Sequence, residues 1–258
     1  MPNTTLAATT PVVTTLADRS VIRLSGEEAG PFLQGLVTQD VLALADGAPR
    51  WSALLSPQGK VLFDFILWAD GDDVLIDCEA AQADALARRL SLYRLRRKVE
   101  IARDLALFVH WSPESASESA AAPLDPRLPA LGHRWLSPES DGDASALWRS
   151  HRLSLGVLEG AAELGQDQTL WLEANAGELN GVDFTKGCYV GQENTARMHY
   201  RSKVNRRLVA VPLAQADEKR QRAALADLGL SVELRRVEDL AAADLPPWLA
   251  AAIAQGAE

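Results

Sequence analysis

Short apolar runs separated by turn-forming residues recur along the first 110 positions of the chain. Alternating apolar residues predict a strand at residues 20–24. Apolar residues at 51–55 and 61–68 flank the sequence Ser-Pro-Gln-Gly, which is typical of a turn between two strands. A further strand is predicted at 74–78, and extended structure returns at 99–110.

Helical patterns lie between these predicted strands. Ser25 and Glu28 have the spacing of a capping box, which predicts a helix start, and Pro31 keeps that helix short or delays it. Residues 80–92 predict an amphipathic helix whose apolar face consists of Ala83, Leu86, Ala87 and Leu90. Interleaved strands and helices indicate an α/β or α+β class.

A change in composition divides the chain. Residues 111–131 are rich in Ser, Ala, Glu and Pro, which predicts a linker or surface loop. We expect residues 1–110 and 132–207 to form the two halves of one body, followed by a C-terminal domain at 208–258.

The C-terminal domain has its own pattern. We predict a strand at 208–211, a helix at 217–228, a second strand at 230–237 and a short helix from Pro247.

Composition narrows the class of protein. Hydrophobic residues make up 47% and charged residues 24%, which is ordinary globular usage. No apolar run approaches the ~20 residues that span a bilayer, so no membrane association is expected. The Thr- and Ala-rich start lacks the pattern of a secretory signal, and Cys78 and Cys188 are too few for a disulfide scaffold. These features favour the cytoplasm.

Charge is unevenly distributed. The net charge of −9 argues against direct nucleic-acid binding, because phosphate contacts supply most of that affinity. Residues 88–103 and 186–207 are nevertheless basic, which suggests a local anionic ligand. The alternative is that both segments are solvated faces paired with acids elsewhere.

The most informative sequence runs from Lys186 to Glu193, Lys-Gly-Cys-Tyr-Val-Gly-Gln-Glu. Two glycines around a Cys–aromatic pair suit a turn that presents the Cys188 thiol. Lys186 and a possible helix start after Gly191 would favour the thiolate. Such a cysteine serves as a nucleophile, a redox thiol or a soft metal ligand, whereas the alternative is a buried apolar filler. We expect the filler role for Cys78.

For each chemical role considered for Cys188, the other residues that the role requires are not evident in the sequence. No base accompanies it at a characteristic spacing, and His199 is a weak candidate because it lies among arginines. One thiolate does not hold an iron–sulfur cluster, which needs about four ligands. We therefore expect no metal site built from this chain alone.

Residues 186–197 resemble, without a gap, the signature K-G-C-[FY]-x-G-Q-E-x-x-[AS]-R of the YgfZ family, which serves iron–sulfur cluster maturation. Looser matches occur at 26–40, 53–60 and 93–99, so the resemblance covers about residues 18–210. The family is similar in fold to the glycine-cleavage T-protein, a folate-dependent aminomethyltransferase. The resemblance implies an α+β folate-binding body with a shortened C-terminal domain.

The resemblance also implies a tetrahydrofolate or other folate ligand. Trp148 occupies the position of a folate-contacting tryptophan, although a core anchor is the alternative, and a second such tryptophan is replaced by Ser20. Arg152 and Arg197 would clamp the carboxylates of the folate tail. The remaining candidate folate contacts are in the motif: Lys186, Gly187, Tyr189, Gly191, Gln192 and Glu193.

The acidic pair that the T-protein uses is incomplete in this chain. Phe63 replaces one acid and Asp64 remains as a candidate proton-transfer group. This departure favours a non-catalytic role. The leading hypothesis is a folate-binding accessory protein that works with iron–sulfur assembly proteins or client enzymes, with Cys188 as its functional thiol and with tRNA thiomodification as one process served. The alternatives are a tetrahydrofolate-dependent transferase that uses Asp64, and an interaction module.

Overall fold

A five-stranded sheet organises the first part of the chain in this computed structural model, which describes residues 13–114, 122–201 and 203–255. The strands are β1 (Arg19–Ser25), β2 (Arg50–Leu55), β3 (Val61–Asp70), β4 (Asp73–Glu79) and β5 (Glu100–Asp104). Their order is β2-β3-β4-β1-β5, and every neighbouring pair is antiparallel. The strands predicted from the apolar runs are confirmed.

Six α-helices accompany the sheets in the described ranges: α1 (Ala29–Gln34), α2 (Ala83–Arg94), α3 (Ser145–Ser154), α4 (Gly160–Leu164), α5 (Gln192–Tyr200) and α6 (Pro247–Gln255). The apolar face predicted for α2 is directed inward, with Ala83, Leu86 and Leu90 buried. None of the helices in the described part of the chain has the length and hydrophobicity that crossing a membrane requires.

The capping box predicted before α1 is wrong, although the helix is short as expected. Ser25 is the last residue of β1, and the side chain of Glu28 does not cap the helix. The Glu28 carboxylate instead accepts hydrogen bonds from the Lys98 backbone N–H at 2.7 Å and from Arg97 at 2.7 Å. A long-range contact therefore replaces the local one.

The segment 111–131, predicted as a linker or surface loop, lies on the surface only in part among the residues that the structure describes there. Strand β6 (Phe108–Ser112) extends into this segment and pairs with β7 (His133–Ser137). Asp125 and Arg127 are 2% exposed, so they belong to the interior. The segment has little hydrophobic periodicity, which is why a surface loop was predicted. Asp125 and Arg127 are polar and are nevertheless buried, because they form ion pairs. Residues 115–121 lie outside the described ranges.

The C-terminal sheet has the order β8-β10-β9, formed by β8 (Arg206–Pro212), β9 (Gln221–Leu225) and β10 (Leu230–Arg236). The helix predicted at 217–228 is wrong, because β9 and one turn of 3₁₀ helix occupy that range. The alanines and leucines fit a helical period, but pairing with β10 overrides that local preference. The flanking strands and α6 are confirmed.

Two hydrophobic cores lie on opposite faces of the five-stranded sheet. Along β3, Ile66 and Trp68 belong to one core, whereas Phe65 and Leu67 belong to the other. This division follows from the alternation of side chains along a strand. The core that contains Ile66 and Trp68, called the first core, also holds the three fully buried tryptophans Trp51, Trp148 and Trp171. The core that contains Phe65 and Leu67, called the second core, packs under α1 and α2.

Candidate functional site

Motif residues 186–191 form a loop that leads into α5, and Gln192 and Glu193 are the first two residues of that helix. Gly191 precedes the helix with a φ of 82°, a left-handed conformation that glycine adopts without strain, and α5 starts at Gln192. The predicted helix start after Gly191 is therefore confirmed. Gly187 and Cys188 lie on the exposed part of the loop.

Gly191 also allows the loop to contact the turn between β2 and β3. A Cβ atom at Gly191 would lie 2.5 Å from the Ser56 carbonyl oxygen and 3.2 Å from the Cα atom of Gly59. The side-chain amide of Asn194 donates a 2.6 Å hydrogen bond to the Gln58 carbonyl. Two segments that both carry the family resemblance are thus packed directly on each other.

Lys186 fixes the other end of the loop. Its ammonium donates hydrogen bonds to the backbone carbonyls of Gln34, Val37 and Gln39 at 2.8, 2.6 and 2.7 Å. Burial lowers the pKa of Lys186 to about 8. The ammonium lies 5.1 Å from the ring centroid of Tyr189. Lys186 therefore anchors the motif to the segment that follows α1.

The two cysteines occupy opposite environments. Cys188 is exposed, as the sequence predicts. Cys78 is 1% exposed, and its thiol lies 3.7 Å from the Ser20 carbonyl oxygen. Burial raises the pKa of the Cys78 thiol to about 12, which disfavours the reactive thiolate. The filler role predicted for Cys78 is confirmed.

The other motif residues divide into buried and exposed sets. Tyr189 is buried, and burial raises the pKa of its hydroxyl to about 12. Gln192 is half-buried. Glu193 is exposed and pairs with Arg197, one turn later in α5, at 2.9 Å. Tyr189 thus supports the loop from below, while Glu193 and Arg197 present charge to solvent.

His199 does not form the dyad considered for Cys188. Its ring stacks on Phe184 at a centroid distance of 3.6 Å, and Tyr200 meets it edge-on at 4.6 Å. In the described residues no hydrogen bond joins His199 to Cys188. No three His, Cys, Asp or Glu side chains within the described ranges are grouped so as to hold a metal ion.

Trp148 lies in the interior, far from the exposed surface that a ligand would meet. Helix α3 directs it into the first core, where it is 1% exposed. The guanidinium carbons of Arg127 and Arg134 lie 5.3 and 5.2 Å from its ring centroid, and the Trp111 centroid lies 5.2 Å away. Its indole N–H donates to Glu159 at 2.9 Å. Trp148 is packed as a core anchor.

These contacts belong to a buried ionic cluster that the sequence did not reveal. We define the cluster as Arg19, Arg127, Arg134, Arg152, Asp64, Asp77, Asp125, Glu159 and Glu163, each of them nearly or fully buried. Asp77 bridges Arg19 and Arg134 at 2.7 Å each. Burial alone would raise the pKa of Glu159, but Arg152, Arg127 and other cluster arginines hold it well below its usual range.

Trp148 and Arg152 are both enclosed by other side chains of the protein. Arg152 is 3% exposed and grips Glu163 through two 2.8 Å hydrogen bonds, while a third joins it to the Val157 carbonyl. The guanidinium carbon of Arg127 lies 5.8 Å from the Trp51 ring centroid and 5.3 Å from the Trp148 ring centroid. Guanidinium groups of the protein therefore pack close to the Trp148 ring.

Asp64 has the altered acidity of a proton-transfer group but not the access. It accepts hydrogen bonds from the Gly160 N–H at 3.0 Å and from the Trp51 indole at 3.3 Å. Burial, and then the charge of Glu159, raise its pKa. The cavity beside Asp64 and Glu79 has a volume of about 10 Å³, which is room for about one water molecule.

Comparisons with known proteins agree with the motif. The chain is 35% identical over 231 residues to "Iron-sulfur cluster assembly factor IBA57, mitochondrial" of Homo sapiens, and 32% identical over 231 residues to its homologue in Neurospora crassa. Each alignment covers 76% of this chain, but 65% and 52% of the relatives, so the chain spans less than two thirds of their length. No family model matches the chain.

A solved structure shows the same fold. The glycine cleavage system aminomethyltransferase T from Bartonella henselae superposes with a TM-score of 0.59 at 16% identity, covering 87% of this chain and 78% of that one. The α+β fold of the T-protein type is therefore confirmed. Together with the assembly-factor relatives, it supports the family resemblance predicted from residues 186–197.

Proposed function

We propose that this chain belongs to the YgfZ family and is an accessory protein of iron–sulfur cluster assembly or repair. The observation that carries the proposal is the exposed Cys188 on a loop fixed at both ends, by Lys186 on one side and by Gly191 on the other. The assembly-factor names of the relatives support it.

Cys188 is suited to a shared task rather than to holding a cluster alone. A cluster needs about four ligands, and this loop offers one thiol. We therefore propose that the cluster is cargo, and that the other ligands come from an assembly protein or client enzyme docked at the loop. Support of tRNA thiomodification and a cytoplasmic location, both expected from the sequence, are part of the proposal, although the relatives' names are mitochondrial.

Folate binding at Trp148 is part of the proposal, and it requires the side chains around this buried residue to move. A pterin would reach the buried Trp148 after a shift of its neighbours, among them Arg127, whose guanidinium carbon lies 5.3 Å from the Trp148 ring centroid. Tetrahydrofolate should quench the tryptophan fluorescence of the wild type, and Trp148→Phe should remove most of that response, with a urea denaturation curve showing that the variant is folded. Equal or absent responses in both proteins would count against a folate site at Trp148.

The raised pKa of Asp64 favours a second candidate function, a folate-dependent transferase. The cavity beside Asp64 has a volume of only about 10 Å³, so catalytic turnover there would require the surrounding residues to move. One-carbon transfer from tetrahydrofolate that is present in the wild type and lost in Asp64→Asn would establish this alternative.

The test of the leading proposal is complementation of cells that lack the protein. Cys188→Ala should fail to restore the activity of a cluster-dependent dehydratase, while Lys219→Gln, a change at an exposed residue outside the motif, should restore it. Protein levels are measured for both, so that loss of function is separated from loss of folding. Full rescue by Cys188→Ala would remove the thiol from the mechanism.

A further inference from the structure

An unpartnered sheet edge lies on the surface formed by the end of α2, the following turn and β5. In the described part of the chain β5 pairs with β1 alone, so it is one edge of the five-stranded sheet. Its outer edge carries backbone N–H and C=O groups that are available to another strand. We call the surface from Arg88 to Leu105 the β5 surface.

Positive charge on the β5 surface is neutralised only in part, by the pairs Arg97–Glu28, Lys98–Glu27 and Arg103–Asp84. Within the described ranges no carboxylate lies within salt-bridge distance of Arg88, Arg89, Arg94 or Arg96. Arg89 lies over the Tyr93 ring at 5.9 Å, and Arg94 donates to the Val99 carbonyl at 3.3 Å. These four cations stand out in a chain of net charge −9.

Apolar side chains are exposed on the same surface. Leu92, Leu95 and Leu105 are 70%, 86% and 76% exposed. Leu95 also has a φ of 49°, in the left-handed region that a bulky side chain rarely adopts. Exposed leucines next to unpaired arginines are typical of a protein-binding surface. Contact between apolar side chains and water does not stabilise the folded chain, so a partner that covers them explains their exposure.

A groove runs between α2 and β5. It has a volume of about 990 Å³, and its walls include Phe63, Arg88, Leu92, Ile101 and Arg103. Two acids, Asp84 and Asp167, also line it, and Asp84 lies 3.8 Å from Arg103. The groove thus combines apolar walls with charged ones, and the unpaired Arg88 and Arg89 are among its lining residues.

We propose that the β5 surface binds an extended acidic segment of a partner protein, which adds to the sheet as a strand along β5. Backbone hydrogen bonds to the free edge would supply part of the affinity, as in other cases of strand addition. Apolar side chains of the segment pack on Leu92 and Leu105, and its carboxylates face Arg88 and Arg96. The three exposed leucines favour a polypeptide over a single-stranded nucleic acid, whose bases stack on aromatic rings, since Tyr93 is the one aromatic residue of this surface.

The probe is a fluorescein-labelled decapeptide of alternating Glu and Val, and the readout is fluorescence anisotropy with the full chain. We expect saturable binding that weakens at least about tenfold when salt rises from about 50 to about 300 mM, because exposed charges are screened. The same decapeptide with Lys in place of Glu should not bind. An unlabelled peptide that fails to compete would overturn the proposal.

Protein variants locate the binding. The double substitution Arg88→Glu, Arg96→Glu should weaken binding by at least about tenfold, as expected when attraction becomes repulsion. The matched control is Lys219→Glu, Arg222→Glu, which reverses two exposed charges, one in the turn before β9 and one in β9, an edge strand of the C-terminal sheet. Equal losses in both variants would show a general charge effect and overturn the site.

Two further measurements test the chemistry of the partner. A probe N-methylated at alternate residues cannot pair along one edge, so it should bind much more weakly than the parent. Unchanged binding would refute strand addition. A single-stranded RNA decamer is the competing ligand: if it binds more tightly than the peptide and depends on Arg88 and Arg96, the surface is a nucleic-acid site and the proposal is wrong.

Discussion

The motif loop and the buried ionic cluster use polar residues in opposite ways. In the loop, the supporting contacts of Lys186 and Gly191 point inward and the Cys188 thiol points outward. In the cluster, Asp77, Arg134 and their neighbours face one another and are closed to solvent. Residues that resemblance marks as functional therefore include both an accessible thiol and a packed tryptophan.

This difference teaches that a shared position does not ensure a shared environment. Trp148 matches a ligand-contacting position by sequence, yet here it is surrounded by guanidinium groups and by Trp111. The loop should accordingly tolerate changes in its exposed residues with little loss of stability. The cluster should tolerate almost none, because each member neutralises another buried charge.

The largest effect is expected from Asp77→Asn. The substitution removes the charge between Arg19 and Arg134, both fully or nearly buried, and leaves two guanidinium groups without their principal partner. Breaking a buried pair in this way costs about 3–5 kcal/mol in the free energy of unfolding. Urea denaturation monitored by tryptophan fluorescence measures the loss.

Glu193→Gln is the matched control for this prediction, since it removes one carboxylate of an exposed pair in the motif. The pair members Glu193 and Arg197 have side chains 83% and 60% exposed, so we expect a change below about 1 kcal/mol. Similar losses in the two variants would contradict the contrast between loop and cluster.

A smaller effect is expected from the two motif glycines. Gly191→Ala places a Cβ 2.5 Å from the Ser56 carbonyl at a φ of 82°, so it should destabilise by about 1–3 kcal/mol through strain and overpacking. Gly187→Ala adds a Cβ with nothing within 4 Å. That variant should unfold at nearly the same urea concentration as the wild type, and a larger loss from Gly187→Ala than from Gly191→Ala would show that the loop is not held as described.

The same contrast explains what the sequence could predict. Local patterns revealed β2, β3 and the turn between them, and the glycines around Cys188 indicated an exposed thiol because glycine placement reports backbone geometry directly. The ionic cluster was missed because its partners are distant in sequence: Asp77 and Arg134 are 57 positions apart. Pairing of β9 with β10 overrode a helical pattern for a related reason, since tertiary contacts outweigh local preference.

Lys186 allows a pH test of the support beneath the loop. Its pKa of about 8 in the folded chain lies below the value of 10.5 expected when unfolded, so the unfolded chain binds more protons between these pH values. The contribution of Lys186 to the free energy of unfolding should therefore rise as pH increases from about 8 to about 10.5. The measurement is the difference in unfolding free energy between the wild type and Lys186→Met across this range. A difference that falls with pH would mean that the three carbonyl acceptors stabilise the ammonium more than burial penalises it.

The smallest effect on the free energy of unfolding is expected at Cys188, the exposed thiol. Cys188→Ala should change the free energy of unfolding by less than about 0.5 kcal/mol, because the side chain is exposed, whereas Cys78→Ala should cost about 1 kcal/mol by removing a buried sulfur. Reactivity should follow the reverse order. Iodoacetamide should alkylate Cys188 in the native protein and leave Cys78 unmodified, because burial raises the pKa of the Cys78 thiol to about 12 and blocks access to it. Peptide mapping by mass spectrometry separates the two sites, and comparable labelling of both without denaturant would contradict the placement of these thiols.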